Sequence, residues 1–262
     1  LTLLIRSNIR FKNKSKETTD DTLFQTILST ENPADVWPLL RIYINEKEKM
    51  FLSYAAGVYD DVATGFMKED TKMLSRAEKS LLTEKNVLKS QRRKLTLCLR
   101  QASPETAMEK STWFHLSNNM ATSMTYCLIR INEICKEHVD NNFRPLPREL
   151  SATLENLKER IVSVLHDSEA AVEENSPDTI DMLRRRCDGI KAELSRRSHE
   201  VYDRISSGDA ANLTVTYVYL NFLQESQELV TSLRKMLRAA GKLNLAPRVY
   251  RSFSVTSSEK VS

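Results

Sequence analysis

Glycine and proline are scarce, at 5 and 7 of 262 residues, below the usual ~7% and ~5%. Turn-rich β-sandwiches, barrels and glycine-loop nucleotide folds need more glycine than this. No Walker A, GxGxxG, GxSxG or HExxH pattern occurs, so the common phosphate cradles, nucleophile elbows and helical zinc pairs are missing. The four cysteines, Cys98, Cys127, Cys135 and Cys187, never form a CxxC. That usage suits reduced, half-buried thiols rather than a disulfide framework or a zinc ribbon. No stretch approaches the ~20 consecutive apolar residues of a membrane span, and no signal-peptide pattern stands out.

What is present is helical material. Hydrophobic residues make up 40% and charged residues 28%, enough for a core under a well-solvated surface. The 39 Lys and Arg against 35 Asp and Glu give a net charge of +4, weak for a nucleic-acid binder. The basic clusters Arg92-Arg93-Lys94, Arg184-Arg185-Arg186 and Arg196-Arg197 read as exposed helix faces with acids nearby. The alternative is attraction to phosphate, an anionic membrane surface or an acidic partner.

Residues 12–22 are polar and lack periodicity, as a linker does. Asn32-Pro33 is a helix start, Trp37-Pro38 a second one, and the pattern then runs through Phe51, Ala55, Val58, Val62 and Phe66 to a break at Glu69-Asp70. Leu74, Ala77, Leu81, Leu88, Leu95 and Leu99 line one face of a second helix. Ser103-Pro104-Glu105 opens a third, through Leu116, Met124, Cys127 and Ile131 to His138. A fourth covers Leu150 to Val172, a fifth starts at Ser176-Pro177-Asp178, and a sixth carries Leu213 to Leu237. The two halves superpose at a shift of roughly 106 residues, pairing Leu74 with Ile180, Leu81 with Cys187, Leu95 with Val201 and Phe51 with Leu157. The expectation is an elongated all-α protein of two tandem three-helix bundles. Its parts would be a linker over 1–31, repeats over 32–143 and 144–243, and a tail over 244–262. The apolar start at Leu1 to Ile5, followed by Arg6, Arg10, Lys12, Lys14 and Lys16, matches the cytoplasmic exit of a membrane helix.

Three stretches are more distinctive than helix composition. They are TWFHLSNNMATSMTYCLIRINEICKEHVDNNFRPL (112–146), YLNFLQESQELVTSLRKMLRA (219–239) and VWPLL (36–40). With the duplication, they resemble the PhoU-like superfamily over most of residues 32–243, in particular the soluble C-terminal segment of bacterial inorganic phosphate transporters of the PiT family. The resemblance implies a non-catalytic regulatory or accessory domain on the cytoplasmic side of the inner membrane, tethered through a segment before Leu1. It would dock on the membrane portion of the transporter or on a separate transporter or sensor chain. Assembly with further copies of itself fits the same reading; nucleic acid does not.

PhoU proteins often bind metal through an E-x-x-x-D pair on the third helix of each repeat, where i and i+4 converge on a cation. This sequence departs there. The first repeat has Asn118, Asn119, Thr122 and Ser123; the second has Glu225, Gln227 and Glu228 with no acid four residues on. No metal ligand or other cofactor is expected. Asn118, Asn119, Thr122, Glu225, Gln227 and Glu228 instead read either as polar layers that fix helix register or as a remnant ligand or partner site. Cys135, Glu137, His138 and Asp140 do not share a helical face, and Asp60-Asp61 diverge by ~100°. Two rivals share the helical architecture: a free-standing PhoU-type signalling adaptor, and an elongated scaffold at a membrane surface.

Overall fold

The computed structural model describes residues 22–174, 176–207 and 213–245, and among these every regular element is α-helical. A short helix, α1 (22–28), precedes six long ones. They are α2 (Pro33–Met67), α3 (Thr71–Leu99), α4 (Pro104–Asp140), α5 (Arg148–Glu174), α6 (Pro177–Ser206) and α7 (Leu213–Leu243). At 1.5 Å per residue, the 37 residues of α4 run about 55 Å, and the bundle is elongated to match. None of the described helices is long and apolar enough to cross a membrane.

The starts follow from local chemistry. The side chains of Asn32, Asp70, Ser103 and Ser176 accept from Ala34, Met73, Thr106 and Thr179 amides, and proline occupies the first turn of α2, α4 and α6. Each cap satisfies a donor that the helix cannot. Pro38 does not restart α2, which runs through it unbroken. Its missing N–H falls in the second turn on the exposed side, so the helix forfeits a bond without bending the core face. Between α2 and α3, Glu69 turns the chain at a φ of 54°. Residues 22–28, read from sequence as the end of a linker, are helical, and Ile27 is fully buried. Asn244, assigned to the tail, is buried just past α7. The remainder of the tail and the chain start lie outside the described residues.

α2, α4, α5 and α7 form the centre, with α2 against α5 and α4 against α7. α3 packs on α2 and α4 along one flank, and α6 on α5 and α7 along the other. Positions that matched across the two halves of the sequence are buried in both: Leu74 and Ile180, Leu81 and Cys187, Phe51 and Leu157. The main core runs continuously from α2 to α7. A second, smaller core at one end joins α1, the start of α2, the end of α3, Phe114 and Leu243 around Trp37 and Tyr43. The flanking position of α3 leaves one whole face of a 29-residue helix to solvent; its buried positions are few, chiefly Leu74, Ala77, Leu81, Leu95 and Leu99.

Candidate functional site

The sequence-predicted residues lie on α4 and α7. Ser232 Oγ donates to Ser123 Oγ at 3.1 Å, and Arg130 reaches Glu225 by two bonds, Nε to Oε1 at 2.7 Å and Nη2 to Oε2 at 2.6 Å. Seven residues forward on α4 thus match seven back on α7, so the helices run antiparallel in register. Glu228 then sits level with Cys127, nine residues from Asn118. That is about 14 Å along the axis, and about 8 Å for Thr122, so the two polar groups are offset along the seam rather than level with each other.

Each group is accounted for locally. Asn118 Nδ2 donates to the Phe114 carbonyl at 2.9 Å, and Thr122 Oγ1 to the Asn118 carbonyl at 3.0 Å. Asn119 and Glu228 face solvent, and Gln227 is half-buried. Glu225 is engaged by Arg130. The buried polar contacts between helices involve other residues. Ser117 Oγ donates to Glu48 Oε1 across α2 and α4, and Tyr59 Oη pairs with Ser226 Oγ at 2.8 Å across α2 and α7. Lys110, 1% exposed, donates to the carbonyls of Leu245 at 2.8 Å and Lys242 at 3.4 Å. Sequence periodicity carries a signal for two of these. Glu48 is four residues after Ile44 and three before Phe51, and Lys110 is four before Phe114, so each falls on its helix's apolar face.

Among the described residues no three His, Cys, Asp or Glu side chains gather as metal ligands would. Cys135 and His138 are buried while Glu137 and Asp140 are exposed. Burial pushes the thiols up: Cys98 to about 11, Cys127 and Cys187 to about 12, and Cys135 well above the ordinary range. Such thiols are protonated and unreactive at neutral pH. Asp60 and Asp61 separate: Asp60 pairs with Lys158 at 3.0 Å while Asp61 faces solvent.

An open groove of about 570 Å³ lies between the end of α2 and the start of α5, lined by Asp60, Thr64, Lys68, Arg148, Glu155 and Lys158 among others. Lys158 is already held by Asp60 and by Glu155 at 2.8 Å, so its charge is spent within the protein.

The three basic clusters part company in the structure. On α6, Arg184 pairs with Asp181, Arg186 with Asp167, and Arg196 and Arg197 with both Glu193 and Glu200. On α3, Lys89, Arg92 and Arg93 are exposed and take part in no ion pair among the described residues. The expectation of acids nearby fails for this cluster. From Lys85 to Pro104 the chain has six cations and no acid, a run of one sign that the sequence displays openly.

The segment that carried the resemblance has a structural task at the joint between the halves. His138 is buried, edge-on to Phe66 with centroids 5.7 Å apart, and its Nε2 donates to the Arg144 carbonyl at 2.9 Å. Asn141 caps α4, and Asn142 adopts a φ of 52°, a left-handed conformation that Asn tolerates better than most residues. Together they turn the chain from α4 toward α5. No family model, no curated protein and no solved structure matches the chain.

Proposed function

We propose that residues 32–243 form a PhoU-like regulatory domain of an inorganic phosphate transporter. It is held at the cytoplasmic side of the inner membrane and modulates transport by docking, without turnover of its own. The observation that supports this most lies at the joint: of the residues that distinguish the resemblance, Trp113, Asn118, Asn119 and His138 to Asn142, the last group directs the chain from one half of the bundle into the other. The six long helices, three to each half, agree with that reading. The docking partner is the membrane portion of the transporter, so the domain alters uptake by which helix faces it presents.

The test is phosphate uptake in cells carrying the gene with and without the codons for residues 32–243. The expected result is that deletion changes the rate of uptake or its response to external phosphate while the remaining protein still reaches the membrane. Identical uptake at every external phosphate concentration, with equal amounts of protein in the membrane, refutes the proposal.

A further inference from the structure

The outer face of α3 carries a stripe of unpaired cations. Counting 100° per residue, Lys85, Lys89, Arg92, Arg93 and Arg100 fall within an arc of about 100° and span about 23 Å of helix axis. All five are exposed. Lys85 lies over the Tyr126 ring at 5.0 Å; among the described residues none of the five forms an ion pair. The remaining cation of the run, Lys94, points elsewhere, over the Phe24 ring at 5.3 Å. α3 packs on α2 and α4, and among the described residues no helix lies across the striped face. Leu82, 53% exposed, falls inside the same arc, and Leu97, 46% exposed, lies beside it.

We infer that this face of α3 docks on an anionic membrane surface. Charge complementarity sets the sign of the partner. Unpaired Lys and Arg are attracted to acidic headgroups over roughly a Debye length, about 10 Å at 0.1 M salt. The two leucines set its kind. An extended row of phosphates offers them nothing to bury against, whereas the boundary between headgroups and acyl chains accepts apolar side chains between the cations. The opposite flank, α6, has as much arginine, but Arg184, Arg186, Arg196, Arg197 and Arg204 are each held by an acid, and Arg185 alone of its arginines forms no ion pair among the described residues. The bundle therefore has a membrane side and a solvent side. This inference stands apart from the transporter reading, because lipid alone is the ligand.

The test uses the whole 262-residue chain and sedimentation with vesicles of phosphatidylcholine alone or mixed with phosphatidylglycerol. Each cation near the surface contributes about fivefold to binding, so K89Q/R92Q/R93Q weakens binding to the mixed vesicles about a hundredfold. The comparison variant R196Q/R197Q/R204Q removes three charges from α6 and changes binding less than about threefold on the same scale. Far-UV circular dichroism melts confirm that both variants fold; all three α3 positions are exposed. Binding to the mixed vesicles is lost as salt rises, and vesicles of phosphatidylcholine alone do not sediment the chain. Equal effects of the two triple variants overturn the inference, because net charge alone would then explain attraction. Binding to heparin without binding to the mixed vesicles also overturns it, since the stripe would then serve another polyanion. The chain carries a second basic run, Arg6 to Lys16; because it is unchanged in both variants, their difference isolates α3.

Discussion

Replacing Glu48 by glutamine should remove a pH dependence from the stability of the bundle. Glu48 is 6% exposed, accepts the Ser117 hydroxyl at Oε1, and has no hydrogen-bond partner at Oε2 among the described residues. Burial pushes its carboxyl up to about 7, from 4.5, with the Ser117 bond opposing. The folded chain therefore holds this proton more tightly than the unfolded chain. Below about pH 4.5 both states are protonated and the group is neutral in the balance. As pH rises to about 7 the unfolded state ionises first, and stability falls; above that both states are ionised and the loss is constant. At about 1.4 kcal/mol per tenfold change in proton affinity, the loss reaches about 3 kcal/mol. Glutamine keeps an acceptor for Ser117 and cannot ionise. Urea unfolding followed by circular dichroism at pH 5 and pH 8 gives the comparison. The variant should gain stability relative to the parent by roughly 2 to 3 kcal/mol between those two pH values. Other titrating groups contribute equally to both proteins and cancel in the difference. Parallel stability–pH profiles for parent and variant would show that Glu48 is ionised inside the bundle, or that water reaches it, and would refute the reasoning.

Lys110→Met keeps the stem and removes the ammonium that meets the carbonyls past α7. Two part-buried carbonyls lose a charged donor, a cost of about 2 kcal/mol, read as a lower urea midpoint with faster amide exchange confined to the last turn of α7. The Arg130–Glu225 pair is bidentate but its arginine is half exposed, so a double-mutant cycle with Arg130→Met and Glu225→Gln should return less than about 1 kcal/mol; a larger coupling would mean the pair is drier than it looks. Asn119→Leu and Gln227→Leu should each shift stability by less than about 1 kcal/mol, because one side chain is exposed and the other half-buried. Under the function proposed above, unchanged phosphate uptake with both substitutions in place would remove these positions from any partner site.

Helix positions were legible in the sequence because their signals are local. Asn32, Ser103 and Ser176 cap the helices they were expected to open, and Asp70, read as part of a break, caps the helix that follows it, since a cap needs only its own next three residues. Pro38 misled because a proline is tolerated one turn further in when its side of the helix is exposed. α1 was missed because seven residues give too little periodicity, and only its contact with a distant core shows that Ile27 is apolar for a purpose. The α3 stripe was partly legible: the cluster at Arg92 was seen, but counting charge for the chain as a whole hid the acid-free run around it. The level difference between Asn118 and Glu228 was not legible at all, because it depends on α4 pairing antiparallel with α7.

That pairing gives the polar residues their physical role. Lys110 meets Leu245, Ser123 meets Ser232 and Arg130 meets Glu225. Thirteen residues separate the first two contacts on α4 and thirteen on the other strand of the pair; seven separate the next two on each. All three therefore satisfy one register. Between them the seam is made of residues such as Ala121, Leu128, Leu233 and Met236, whose apolar contacts would survive a slide by one turn with modest loss. A slide would break the three polar contacts together and leave a buried lysine without its carbonyls, which is far more costly. Polar groups at the α4–α7 seam thus select one alignment among several that burial alone would permit. A seam committed in this way buries Lys110 and Ser232 away from any partner. Recognition is left to the outer faces, and on that of α3 five exposed cations, Lys85, Lys89, Arg92, Arg93 and Arg100, form no ion pair among the described residues.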